Sequence, residues 1–201
     1  SQAPDMASLS ELFDAAGDEI VKNADSVVLE IDISREISEK VFRTAEKYGK
    51  KVYAMVGNMG VILFCPELLC KTDCFICNEI EAGRLFGEDI KSMSPEGVLK
   101  AARAGAEKLK IPAVVVTLGE NGAVYCDSRT GISGAKAAES AEIVDTTGAG
   151  DAFFTAVVGG LMRGLSLPEA VAAGTKLAAM TISSMESSCP KMDGLFKWRA
   201  L

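Results

Sequence analysis

The run Ala113-Val114-Val115-Val116-Thr117 carries no polar side chain until its last position. A strand of that kind must be covered on both faces, which is the situation of a central strand in a parallel sheet with helices above and below. Shorter apolar runs lie upstream at Val27 to Ile31, Lys51 to Val56 and Cys74 to Cys77. The stretches between them have helical spacing. Arg35 to Tyr48 places Ile37, Val41, Phe42 and Ala45 on one side, with Ser34 as cap and Gly49 as stop. Strand, helix, strand closes as a right-handed parallel βαβ unit, so the chain predicts a doubly wound α/β sheet. Leu9, Leu12, Phe13, Ala16 and Ile20 predict one helix ahead of these strands, and Ser94-Pro95-Glu96 opens another that runs through Leu109. Gly57 to Gly60 reads as a loop at the carboxyl end of a strand, where open α/β sheets place ligands, with Asn58 as a turn residue or a polar group near the substrate. Asn121-Gly122 predicts a hairpin turn, and Asp127 to Ser140 is rich enough in turn residues to form a surface hairpin.

With 201 residues, 48% hydrophobic, the chain is long enough for one α/β domain spanning 1–201. Lys plus Arg number 21 and Asp plus Glu 28, a net charge of −7. An acidic balance argues against nucleic acid or an anionic membrane as partner, because both are bound through Lys and Arg. A nucleotide remains open, since helix N-termini and backbone amides supply local positive potential. There is no histidine. That removes Ser-His-Asp and Cys-His nucleophiles and the common His-based metal sites, leaving an acid as the expected proton acceptor. Six cysteines, Cys65, Cys70, Cys74, Cys77, Cys126 and Cys189, read as free thiols of a reducing cytoplasm. Cys74 and Cys77 have the spacing of a zinc or redox pair, but no second pair and no histidine completes a site, and they fall in an expected buried strand. No apolar run reaches the roughly 18 residues of a membrane span.

Chemistry concentrates in Asp145-Thr146-Thr147-Gly148-Ala149-Gly150-Asp151, directly followed by the apolar helical run Ala152 to Val158. Two glycines flanking one small residue at a helix start make a turn whose amides point into open space, an anion site. Asp151 falls in the first turn, where the helix dipole favours negative charge. A carboxylate beside a phosphate cradle is what phosphoryl transfer to an alcohol requires, although a bare Gly-x-Gly-Asp is also an ordinary helix-capping acid.

The string Asp145 to Phe153 resembles the C-terminal signature of the ribokinase or PfkB family of sugar and nucleoside kinases. The resemblance implies a three-layer, mostly parallel sheet with helices on both faces and ATP-dependent phosphorylation of a sugar hydroxyl. Asp151 is then the base, and Gly148, Ala149 and Gly150 form the anion hole. Asn78-x-x-Glu81 matches the family's N-x-x-E motif, with Asn78 near the ATP phosphates and Glu81 orienting Mg²⁺ through water and phosphate. The same two residues also suit a capping box. Thr117, Gly119 and Gly122 stand where the family approaches the nucleotide, and Thr175 where it has a residue near adenine. Asp145 and Thr147 order the loop and contribute to a monovalent-cation (K⁺) site, or serve as buried hydrogen-bonding groups. The small residues Ala170, Ala172, Ala173, Gly174, Ala178 and Ala179 allow close helix packing or an adenine slot.

The match covers only the C-terminal two-thirds of a family member. It lacks the earlier βα units, the β lid and the Asp that grips sugar hydroxyls, and it decays over Met185 to Pro190. The chain is thus expected to be a fragment or a degenerate member, with an exposed sheet edge that favours homo-oligomers. Asp5-Met6 and the run Glu142 to Ser184 look somewhat like pseudouridine kinases. A non-catalytic nucleotide-binding or oligomerisation module is the alternative, and a Rossmann dehydrogenase is disfavoured by the lack of G-x-G-x-x-G after a strand.

Overall fold

Val114, Val115 and Val116 are fully buried in the fourth strand of a six-stranded sheet with order β1-β2-β3-β4-β5-β6. The computed structural model describes residues 6–31, 34–57 and 59–185. The readings placed on Ser1 to Asp5, on Asn58 and on Glu186 to Pro190, with Cys189, lie outside the described residues. The strands are β1 (Ser26–Glu30), β2 (Lys51–Met55), β3 (Cys74–Asn78), β4 (Ala113–Thr117), β5 (Ala123–Asp127) and β6 (Ser133–Lys136). The first four run parallel, while β5 and β6 are antiparallel to their neighbours.

The helices are α1 (Met6–Asn23), α2 (Arg35–Lys47), α3 (Gly60–Phe64), α4 (Glu79–Phe86), α5 (Pro95–Leu109), α6 (Ala149–Met162) and α7 (Leu167–Ile182). Ser34 caps α2 by accepting from the Ile37 amide, as its position before the periodic run predicts. One core lies on the face carrying Leu29, Phe75, Val114 and Val116, packed by Phe13, Val41, Phe42, Val98 and Ala102. The other lies between Tyr53, Ile76 and Val115 and the residues Phe153, Val157, Leu167 and Val171 of α6 and α7. Helices therefore cover both faces, as the three-layer reading expects.

Two local expectations change. The β4–β5 connection is not a two-residue Asn-Gly turn. Its register pairs Thr117 with Ala123, so the loop runs from Leu118 to Gly122, closed by the Leu118 amide donating to Gly122 O at 2.8 Å. The Gly57 to Gly60 loop is followed by the short helix α3, entered through buried Met59 with a left-handed φ of 66°.

At the end of the sheet away from the strand C-termini of β1 to β4, Arg129 ties the β5–β6 turn to the start of β3. Its Nε and Nη2 donate to Asp127 at 3.1 and 3.0 Å, and Nη2 also donates to Asp73 O at 2.9 Å. Burial pushes the Asp127 carboxyl up, but the Arg129 hydrogen bonds outweigh it and hold the group below its ordinary value. Cys74 and Cys77 sit in β3, where burial pushes the Cys74 thiol up to about 12 and the Cys77 thiol well above its usual value. Such thiols are inert core residues.

Candidate functional site

The carboxyl ends of β3 and β4 lie side by side, with Asn78 paired to Thr117. Thr117 Oγ1 donates to Cys77 O at 3.5 Å, which ties the two strand ends together. Asn78 is the N-cap of α4, its side-chain oxygen accepting from the Ile80 and Glu81 amides at 2.9 Å each, while Glu81 Oε2 accepts from the Asn78 amide at 2.8 Å. The capping box is fully formed. Both side chains are thereby held in place beside the end of β4, and neither is among the residues that line the cleft next to it.

Beyond Thr117, the loop from Leu118 to Gly122 opens a cleft of about 530 Å³. Its walls are Thr117, Gly119 and Gly122 on one side and Ala149, Gly150 and Phe153 of α6 on another. Thr175, Ala178, Ala179 and Ile182 of α7 and the strip Ala138 to Ala141 close it. Thr117, Gly119, Gly122, Ala149, Gly150, Thr175, Ala178 and Ala179, eight residues singled out from the sequence, thus meet in one place. Gly119 has φ 55° and nothing within 4 Å of where its side chain would be, so its backbone faces the cleft openly. Gly122 is a glycine for another reason: a methyl group there would lie 2.0 Å from Lys136 O. Thr175 is buried and its hydroxyl donates to Ala172 O at 3.0 Å, so it contributes shape rather than a free polar group.

The small residues of α7 divide the roles expected of them. Gly174 packs on α6, where an added methyl would meet Val157 Cγ2 at 2.8 Å and Phe153 Cε2 at 2.9 Å. Ala178 and Ala179 line the cleft and keep that wall small and apolar.

The signature loop is anchored to the end of α7, with the Val144 and Asp145 amides donating to Ile182 O at 2.8 and 3.2 Å. Asp145 Oδ1 accepts from the Thr147 amide at 2.9 Å. That amide, then the Thr147 hydroxyl, hold the Asp145 carboxyl below the usual carboxylate range. Both residues are exposed, which corrects the expectation of buried hydrogen-bonding groups: the loop lies on the surface. Gly148 caps α6 in the left-handed region at φ 80°. The Ala149 amide turns back to Thr146 O at 3.3 Å, while the Gly148, Gly150 and Asp151 amides meet no acceptor among the described residues. Of the three residues the resemblance assigns to an anion hole, Gly148 and Gly150 thus have open amides and Ala149 does not, while the Asp151 amide is open as well. Asp151 is exposed in the first turn of α6, one residue past the cleft wall.

Ile143, Phe153, Ile182 and Glu139 also line the cleft unforeseen. Ile143 is 67% exposed and, like Ile182, comes to the cleft from a segment with no motif to mark it. Glu139 is paired to Lys136 at 2.8 Å, and that hydrogen bond holds its carboxyl below the usual range. No group of three or more acidic, cysteine or histidine side chains suited to a metal ion exists among the described residues. No helix among them is long and apolar enough to cross a membrane.

The family model for pfkB family carbohydrate kinases matches residues 4–192. A guanosine-inosine kinase of Exiguobacterium acetylicum is 34% identical over 187 residues, covering 93% of this chain and 61% of that protein. A ribokinase of Arabidopsis thaliana is 31% identical over 179 residues, covering 87% of this chain and 45% of that one. The chain thus spans about half the length of the curated relatives it matches. The structure of Arabidopsis thaliana ribokinase complexed with ribose and ATP superposes with a TM-score of 0.73 at 27% identity, over 86% of this chain and 55% of that one.

Proposed function

The chain belongs to the pfkB family of carbohydrate kinases, and from that premise we propose that it is the ATP-binding and catalytic portion of a phosphotransferase acting on a sugar or nucleoside hydroxyl. The observation that carries this reading is the N-terminus of α6, where Gly150, whose amide is open, lines a cleft with an apolar wall, flanked by the open amides of Gly148 and Asp151 just outside it. An aromatic base suits the slot formed by Ala178, Ala179, Ile182 and Phe153, and anionic phosphates suit the Gly148, Gly150 and Asp151 amides. ATP bound there supplies the phosphoryl group. Asp151 accepts the proton of the acceptor hydroxyl as that oxygen bonds to the γ-phosphorus and the bond to the ADP oxygen breaks. The amides at the helix start stabilise the charge that develops on the transferring group.

Asn78 stands at the phosphate side, and Glu81, already held by the Asn78 amide, suits water-mediated rather than direct contact with Mg²⁺. Asp145 and Thr147 are the position for a monovalent cation, tested by titrating turnover with K⁺. The guanosine-inosine kinase and ribokinase likenesses favour a nucleoside or ribose acceptor, and pseudouridine belongs in the same panel. The free thiols suit a cytoplasmic location. Self-association through the unpaired edge of β1, flanked by Leu12 and Ile20 at 67% and 62% exposure, is tested by sedimentation. Leu12→Asp combined with Ile20→Asp is expected to shift the chain to monomer, and a wild-type monomer at high concentration overturns it.

The test of function is ADP release from MgATP with guanosine, inosine, ribose, fructose 6-phosphate and pseudouridine. Asp151→Asn is expected to lower turnover by about 10²- to 10⁴-fold with MgATP binding retained. Unchanged turnover would end the assignment. The alternative, a nucleotide-binding module without catalysis, predicts MgATP binding and no turnover with any acceptor.

A further inference from the structure

The lining of the cleft divides by charge. Among the described residues, the charged side chains that line it are Glu120 and Glu139, and neither a lysine nor an arginine does so. The hydroxyls of Thr117 and Thr175 are already engaged with Cys77 O and Ala172 O. Two carboxylates on one wall disfavour a triphosphate there. The phosphates therefore go to the open amides at the start of α6, and the nucleoside half of a bound nucleotide meets the acids.

The two acids are not equivalent. Glu120 stands on the exposed Leu118 to Gly122 loop, with no hydrogen bond or ion pair holding its side chain among the described residues. Glu139 is held, its Oε1 lying 2.8 Å from Lys136 Nζ at the end of β6, which fixes the carboxylate and leaves Oε2 for a ligand. It also lies within the field of Lys176, the residue of α7 that follows Thr175. Because α7 packs on β6, Glu139 stands where the β6 side of the cleft meets the wall of Ala178 and Ala179.

That wall is where the kinase reading sets the base, and a ring laid flat on it turns an edge toward Glu139. An ionised carboxylate only accepts hydrogen bonds. The 6-amino group of adenine offers it an N–H, whereas a 6-oxygen at the same point sets lone pairs against it. We infer that Glu139 is a specificity-determining residue for the phosphoryl donor, its carboxylate accepting a hydrogen bond from the exocyclic amino group of a 6-aminopurine and turning away a 6-oxopurine. This rests on the kinase reading above, in which the cleft takes the nucleotide.

The experiment is calorimetry of wild type, Glu139→Gln and Glu139→Ala with the magnesium complexes of ATP, inosine triphosphate and 2′-deoxy-ATP. Inosine triphosphate differs from ATP at the base edge alone, and comparing two nucleotides on one protein cancels any change in its stability. Wild type is expected to bind ATP roughly 10- to 100-fold more tightly than inosine triphosphate. Glu139→Gln, whose amide donates as well as accepts, should abolish that preference by weakening ATP and tightening inosine triphosphate. Glu139→Ala should weaken ATP and tighten inosine triphosphate less. Deoxy-ATP should follow ATP throughout. Equal affinity of wild type for ATP and inosine triphosphate, or a preference that survives Glu139→Gln, overturns the inference. A loss with deoxy-ATP that disappears in Glu139→Gln also overturns it, since the contact would then be to a ribose hydroxyl. In each of these cases ATP still binds and the kinase reading stands. That reading fails separately, and takes the inference with it, if no nucleotide binds or if turnover is insensitive to Asp151→Asn.

Discussion

A methyl group on Gly122 would collide with the backbone of Lys136 to Ala138, at 2.0 Å from the Lys136 oxygen, and the residue's φ of 87° is one that L-residues rarely adopt. Gly119, three positions earlier in the same loop, has φ 55° and open space around it. Gly122→Ala should therefore destabilise the chain by more than the roughly 1–3 kcal/mol of backbone strain alone, since the β6 strand must also move. Gly119→Ala should cost only about 1–2 kcal/mol of left-handed strain. Its methyl group faces the cleft, so its main effect should be weaker MgATP binding. Urea midpoints with calorimetry on the two variants separate the cases, and equal stability losses would contradict the geometry. The pair also shows where sequence reading stops. Both glycines are visible as punctuation after Thr117, but only the folded backbone reveals that one borders an open cleft and the other makes room for a strand. The glycine turn ahead of α6 was legible because its motif is local and contiguous. The cleft walls Ile143 and Ile182 were not, being assembled from segments far apart in sequence.

At the level of elements, the clearest test lies at the start of α4. Asn78→Ala removes the cap that serves the Ile80 and Glu81 amides and should cost about 1 kcal/mol with or without ligand. Asn78→Asp keeps the cap and adds a charge beside the place where the proposed function puts the nucleotide phosphates. It should leave the denaturation midpoint near wild type and weaken MgATP, and unchanged affinity would argue that Asn78 only caps. Most elements followed from local pattern. The strands of the parallel region are unbroken apolar runs, and α2, α4 and α5 begin at Ser34, Asn78 and Ser94, each of which accepts a backbone amide as a cap should. The failures were segments without periodicity. From Met59 to Lys71 the chain forms α3 and a 3-10 helix at Pro66–Lys71, held by buried Ile62, Leu68 and Leu69 rather than by an amphipathic repeat. The hairpin read from the turn residues of Asp127 to Ser140 does form, though its second strand, β6, reads Ser-Gly-Ala-Lys and is a strand because β5 offers it a partner, tertiary context overriding propensity.

For the molecule as a whole, Arg129 matters beyond its turn, because it joins the β5–β6 hairpin to the start of β3 through Asp127 and Asp73. The folded Asp127 carboxyl lies below its unfolded value, near 3.9 for an aspartate. Its contribution to stability is therefore complete above the unfolded pKa and is lost as pH falls through the folded one. The stability difference between wild type and Asp127→Asn should be constant above about pH 5 and shrink on acidification below about pH 4. Urea midpoints from pH 2 to 7 measure it, and a difference that grows in acid would refute the pairing. The anchoring of Val144 and Asp145 to Ile182 has a different reach. Helix ends fray, and the last turn of α7 is the one that holds the loop leading to Asp151. Fraying of that turn and release of the loop are one opening event, so their amides should exchange with deuterium at a common rate. A ring lodged against Ala178 and Ala179 would slow that exchange, turning occupancy of the cleft into rigidity of the loop that leads to Asp151.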